Sequence, residues 1–185
     1  GQFQERPMDP ETEMLVPEMS FFSPESYWSQ KKAFFYPETD PRELIEHLNL
    51  YSRVIYKKIV QWARTNKINL LISENASALP SHLEMGLAIN KAVHKLGLPT
   101  ITHDHDFAWE RGDRYRSPHE EINRFVEKVF PLVAPNSIHA VINTHAQHTL
   151  KEKFGRDAVN VPNVMDFSIP FGEKNEKNAL LPDYL

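Results

Sequence analysis

Apolar positions recur along this chain in two alternating rhythms. Leu44, Leu48, Tyr51, Ile55, Ile59 and Trp62 follow one another at steps of four and three, the spacing that lines one face of an α-helix. Asp40-Pro41-Arg42-Glu43 stands in front of them and supplies a carboxylate N-cap, a proline at the first helical position and an acid at the third. The pattern predicts a helix from Asp40 to about Thr65-Asn66. The rhythm then changes. Ile68-Asn69-Leu70-Leu71-Ile72-Ser73 is a short, nearly continuous apolar run, which suits a strand buried on both sides in a parallel sheet.

The same alternation repeats three times. Ser81 as N-cap with Glu84 at the capping-box position opens a helix whose stripe is Met85, Ala88, Ile89, Ala92, Val93 and Leu96, with Gly97 as its left-handed stop. A strand from Pro99 to about Thr102 follows. Ser117-Pro118 starts the next helix, carrying Ile122, Phe125, Val126, Val129 and Phe130, and His139–Asn143 is the next strand. Thr144 caps a last helix with Ala146, Leu150 and Phe154, Gly155 ends it, and Ala158–Val161 is the final strand. Strands separated by helices run parallel and are joined by right-handed crossovers. The predicted fold class is therefore α/β: a doubly wound, mainly parallel sheet with helices on both faces. Ligands bind such sheets outside the C-terminal ends of the strands. That rule singles out four loops, Glu74–Leu79, His103–Arg116, Asn143–His145 and Pro162–Asp166.

The ends do not share the pattern. Residues 1–39 are punctuated by proline and read as an irregular segment packing on the domain; Glu13–Phe22 holds at most a short edge strand, because Pro17 cannot donate to a ladder. Tyr27-Trp28 and Phe34-Phe35-Tyr36 are too apolar to stand in water and are expected to pack. Residues 40–167 form the α/β domain, and residues 168–185, rich in Glu, Lys and Asn, read as a linker or tail.

Composition changes this picture mostly by exclusion. The 185 residues carry a formal charge of −4, so no basic face argues for nucleic acid. Cysteine is absent, which removes disulfides and thiolate metal sites and fits the cytoplasm. No apolar run reaches membrane-spanning length. The six glycines form no phosphate-cradling loop of the GxGxxG or GxxxxGK[ST] type, so no cofactor is expected in this chain. Gly1 stands where a start Met would be, and the chain is expected to be part of a longer polypeptide.

The densest chemistry follows the second strand, in His103-Asp104-His105-Asp106-Phe107-Ala108-Trp109-Glu110-Arg111. Alternate residues of an extended strand share a face, so His103 and His105 can be set beside one another. One reading is a metal-dependent hydrolase using His103 and His105, with His139, His145 or His148 as third ligand; the Asp-His expected after Asp106 is replaced by Phe107-Ala108-Trp109, and no metal is assigned. Another is a non-catalytic binding module. The plain readings are a buried, backbone-bonded His103, packing roles for Phe107 and Trp109, a surface pair in Glu110-Arg111 and a helix cap in Asn143-Thr144-His145.

The order Leu70-Leu71-Ile72-Ser73-Glu74-Asn75, Gly97-Leu98-Pro99, Thr100 to Arg111, Val141-Ile142-Asn143-Thr144 and Val161-Pro162-Asn163-Val164-Met165-Asp166-Phe167 resembles family 4 glycosyltransferases of GT-B fold, and within them the bacterial mannosylglucosylglycerate-synthase-like branch. The resemblance runs over about residues 40–168. It implies a partial N-terminal, acceptor-side Rossmann-like domain, with a C-terminal donor domain of the same parent binding a nucleotide sugar. Hexose transfer to a sugar or glycerate-like acceptor is then expected in the full-length parent, and the chain alone is expected to be inactive. It implies catalytic roles for His105 and Asp106, acceptor contacts from Glu74, Asn75, Glu110 and Arg111, and hinge-turn roles for Asn163 and Asp166.

Overall fold

A computed structural model describes residues 8–164 of the chain. Its elements are α1 (Pro24–Phe34), α2 (Pro41–Thr65), β1 (Leu71–Glu74), α3 (Leu83–Leu96), β2 (Thr100–Asp104), α4 (Glu120–Val129), β3 (Ser137–Val141), α5 (Thr144–Phe154) and β4 (Ala158–Asn160). Short 3₁₀ segments lie at Pro17–Met19 and Ala108–Tyr115. The four strands form one parallel sheet in the order β1-β2-β3-β4, which is the α/β, Rossmann-like arrangement that the alternating pattern predicts.

The order of the strands decides where the helices go. Each right-handed crossover steps one strand in the same direction, which places the crossover helices on one face of the sheet. Packing agrees: Leu71 of β1 meets Ile89 and Val93 of α3, and Val141 of β3 meets Ala146 and Leu150 of α5. The opposite face carries Ile72, Ile138 and Val159, all exposed. Helices on both faces are expected from the sequence; among the described residues the crossover helices lie on one face.

Local chemistry explains most boundaries. Asp40 caps α2, its carboxylate accepting from the amides of Arg42 and Glu43, and Leu44, Leu48 and Ile55 bury the predicted stripe. Gly97 and Gly155 end α3 and α5 with positive φ of 64° and 63°, the left-handed cap that glycine adopts without a Cβ penalty. Three expected caps move by a residue or two. His82, not Ser81, caps α3, its Nδ1 accepting from the Met85 amide at 3.3 Å. Glu84 is buried instead of capping, because the Ser29 hydroxyl of α1 donates to it. Asn143, not Thr144, caps α5, its Oδ1 accepting from Ala146 N at 2.7 Å. Ser117 does not cap α4 directly; its Oγ accepts from His119 N at 3.1 Å and shapes the turn that precedes it.

The N-terminal segment corrects the reading of an irregular stretch. Residues 24–34 form α1, capped by Ser23 with Pro24 in the first turn. No strand forms over 13–22; Pro17 starts a 3₁₀ turn instead. Ala33 and Phe34 join Leu44, Leu48, Leu87, Ile122 and Val126 in the main helical core, whereas Tyr27, Phe35 and Tyr36 remain exposed. Periodicity missed α1 because its apolar residues are aromatic and spread around the helix rather than gathered into a stripe.

Candidate functional site

Adjacent parallel strands bring their C-terminal ends to the same edge, and the register sets Glu74 of β1 opposite His103 of β2. Residues of β2 alternate between faces: Thr100, Thr102 and Asp104 are buried under the helices, while Ile101 and His103 lie on the other side. His105, two residues beyond His103, projects on the same side. The three side chains converge. His103 Nδ1 lies 2.9 Å from Glu74 Oε2 and 3.1 Å from Oε1. His105 Nε2 lies 2.8 Å from Glu74 Oε1, close in distance but off the line of an aligned ring N–H hydrogen bond. The two imidazoles meet edge to face at 4.6 Å, with Glu74 the most exposed of the three.

Asn75 fixes this arrangement. It adopts a left-handed conformation with φ of 47°, which asparagine tolerates better than most residues. Its amide donates to His103 O at 2.8 Å, and its Oδ1 accepts from His105 N at 3.0 Å and, more weakly, from Asp106 N at 3.4 Å. The β1 and β2 ends are therefore tied together by backbone and side chain just where the imidazoles stand.

The following loop separates into anchoring and presenting parts. Phe107 is fully buried against Ala78, Val141 and Leu150. It stacks on Trp109 at 4.3 Å with planes 6° apart, so both rings pack. Glu110 turns back, its Oε2 accepting from Phe107 N at 2.8 Å. Arg111 pairs with Asp106, not with its neighbour Glu110. Asp106 therefore stands against a guanidinium, on the rim beside His105.

Several sequence expectations change. His103 is not a buried, backbone-bonded histidine: it is partly exposed and paired with Glu74. The buried histidine of the sheet is His139, fully inaccessible on the helix-covered face, where its Nδ1 lies 3.1 Å from Asp104 Oδ2 and Thr102 Oγ1 donates to that same oxygen at 2.8 Å. His139 is thus on the wrong side of the sheet to join His103, and His145 and His148 are exposed on α5. The group that completes the cluster is Glu74. Strand parity signals the histidine pair in the sequence; the partner from β1 appears only once the register is known. Asn143 is occupied with capping, Asn163 is exposed beyond β4, and Asp166 lies outside the described residues. Beside the cluster, between β1, α2 and the N-terminal segment, runs a cleft of about 400 Å³ lined by Met14, Leu15, Trp62, Ile72 and Glu74. Its walls are mainly apolar.

Among the described residues no helix is long and apolar enough to cross a membrane. No protein-family profile matches the chain, and no solved structure matches it. Two curated proteins do. The mannosylglucosylglycerate synthase of Petrotoga mobilis is 31% identical over 173 residues, covering 92% of this chain and 39% of that protein. The mannosylglucosylglycerate synthase of Thermotoga maritima is 38% identical over 103 residues, covering 55% of this chain and 23% of that protein. The chain is thus related to glycosyltransferases over nearly its whole length, and spans about two-fifths or less of the length of these relatives.

Proposed function

We propose that this chain is the acceptor-side part of a nucleotide-sugar-dependent, GT-B-type glycosyltransferase of family 4, which transfers a hexose to a small anionic acceptor of the glycerate type. The observation that carries the reading is the relationship to mannosylglucosylglycerate synthases across 92% of the chain. The geometry supports it: a cluster of polar, solvent-reachable groups sits at the C-terminal edge of a parallel sheet, where such folds hold ligands.

In this reading the nucleotide sugar is held by a separate donor-binding part of the same polypeptide, in keeping with the lack of a glycine-rich phosphate loop in this sequence, and the setting is cytoplasmic. Each side chain then has a job its position suits. His105 donates to a hydroxyl of the transferring sugar or toward the leaving phosphate, where negative charge develops. Glu74, within 2.8 Å of His105 Nε2, orients the ring and accepts from an acceptor hydroxyl. Asn75 holds the strand ends in register with one another. Arg111 receives the acceptor carboxylate in bidentate fashion, exchanging Asp106 for it, and Asp106 keeps the guanidinium aimed at the rim until then. Glu110 acts on loop shape through the Phe107 amide.

The test is acceptor binding to this chain, followed by imidazole and guanidinium NMR signals during titration with glucosylglycerate. Saturable shifts at His105 and Arg111, reduced about tenfold or more in apparent affinity by Arg111→Ala, support the reading. Equal binding of a neutral glucosylglycerol would remove Arg111 from acceptor recognition, and no saturable binding of either compound would overturn the acceptor-side assignment.

A further inference from the structure

We propose that Glu74, His103 and His105 form a binding site for one divalent first-row transition ion of the zinc type. The site rests on these three side chains and not on sugar transfer. Their ligand atoms, one from each residue, all lie within 4.8 Å of one another. Ligands of a single ion at ~2.0–2.1 Å stand about 3 to 3.4 Å apart. A single carboxylate oxygen, Glu74 Oε1, lies 3.1 Å from His103 Nδ1 and 2.8 Å from His105 Nε2, so these two approaches shift by only a few tenths of an ångström to admit an ion, while the two imidazole nitrogens, within 4.8 Å of one another, close to about 3.4 Å or less.

The donor set selects the metal. Two imidazole nitrogens and one carboxylate suit zinc, cobalt, nickel or ferrous iron, whereas magnesium and calcium prefer oxygen ligands throughout. His103 would bind through Nδ1 and His105 through Nε2, the atoms already turned to Glu74. The His105 Nε2 is not engaged in an aligned hydrogen bond, so no well-formed hydrogen bond at that atom is given up on coordination. Rigid elements supply the preorganisation: Glu74 and His103 are register partners on neighbouring strands, and Asn75 clamps the turn that carries His105. Glu74 is largely exposed, which leaves the outer side of an ion open to water or to oxygens of a ligand. The histidine–carboxylate pairs His139–Asp104 and His82–Glu84 each offer two groups in a sealed interior and make no such site.

The experiment adds cobalt(II) to the purified chain and follows its visible d–d absorption, with zinc as competitor. The expected result is one saturable equivalent, displaced by zinc and not by an equal concentration of magnesium. Affinity should fall about tenfold or more in His103→Ala, in His103→Gln and in His105→Ala, and likewise in Glu74→Gln, while His145→Ala on α5 binds like wild type. The far-UV circular dichroism of each variant is recorded alongside, so that a loss of binding is counted only in a folded protein. Absence of saturable binding in the wild-type chain, equal binding in the cluster variants, or displacement by magnesium overturns the proposal. Acceptor binding with chelator present is read separately, so the transferase reading and the metal site can fail independently.

Discussion

Strand β2 carries two histidine–carboxylate clusters on opposite faces of one sheet, built from the same residue types and suited to opposite tasks. On the helix-covered face, Asp104 meets His139 of β3 and Thr102, and the acid and imidazole are at most 1% exposed. On the other face, His103 and His105 meet Glu74 of β1 at the sheet edge, where solvent reaches them. Burial makes the difference. A charge or hydrogen-bonding group in the interior must be satisfied by fixed neighbours, and removing one leaves the other stranded. The same groups at an edge are free to exchange their partner for a ligand. The interior pair is therefore structural, and the edge cluster is the functional candidate.

The strongest way to break this comparison is to remove one half of the buried pair. Asp104→Ala should cost about 3–5 kcal/mol of folding stability, measured by urea unfolding. Glu74→Ala should change it by about 1 kcal/mol or less, since exposed pairs contribute little. Comparable losses from the two substitutions would erase the distinction between the clusters. The next largest effect belongs to function. With the donor-binding part present, His105→Ala should lower the rate of hexose transfer by about 10²-fold while its unfolding midpoint stays near that of wild type. His139→Asn, by contrast, should act on the midpoint first. A transfer rate unchanged by His105→Ala would leave that ring without a part in the reaction.

How much of this could be read beforehand follows from what each pattern encodes. The helix α2 and the left-handed stops at Gly97 and Gly155 were legible because caps and stripes are local. The parallel direction of the strands followed from alternation alone, whereas their sequential order, which puts the crossover helices on one face, did not. Helix α1 was not legible: Tyr27, Trp28 and Phe34 surround it rather than line it, and its fit depends on Ser29 meeting Glu84, 55 residues away. The site divided in the same way. Strand parity joined His103 to His105, but nothing local says which acid faces them, or that the histidine buried within the sheet is His139 and not His103. Those facts depend on which strands are neighbours and in what register. Glu110 holds the Phe107 amide at the start of the 3₁₀ segment and Arg111 holds Asp106, a division that adjacency of Glu110 and Arg111 in the sequence does not announce.

A smaller effect concerns acid. The Glu18 carboxylate has its pKa held below the ordinary value, chiefly by its hydrogen bonds from Lys58, at 2.6 and 2.7 Å. A folded-state value below the unfolded one contributes stability above the ordinary carboxylate range, and that contribution is lost as pH falls through the folded value. Glu18 also offers its carbonyl oxygen to His82 Nε2 at 2.9 Å, so the segment around the Pro17–Met19 turn is tied to both α2 and α3. Amide hydrogen exchange below pH 4.5 should therefore rise in residues 12–22 before it rises in β2, and Glu18→Gln should remove that pH dependence. The pair is more than one-third exposed, so solvent keeps the effect small.

The smallest effect expected is also the most direct test of the open face. Ile138 is the second residue of β3, in register with Ile101, and is 60% exposed. Ile138→Thr keeps the β-branching that suits a strand and removes apolar surface. If nothing covers that face, stability should change by about 0.5 kcal/mol or less. A fully buried isoleucine would lose about 1.5–3 kcal/mol of apolar transfer energy on the same scale. The comparison partner is Val141, on the same strand but buried against α5, where Val141→Thr puts a hydroxyl into an apolar contact without changing shape and should cost about 1–3 kcal/mol. The ratio of the two measures how one-sided this sheet is. Equal losses would mean that the face holding Glu74, His103 and His105 is covered in solution, and the edge cluster would then share the sealed setting of His139 and Asp104 rather than stand open to a ligand.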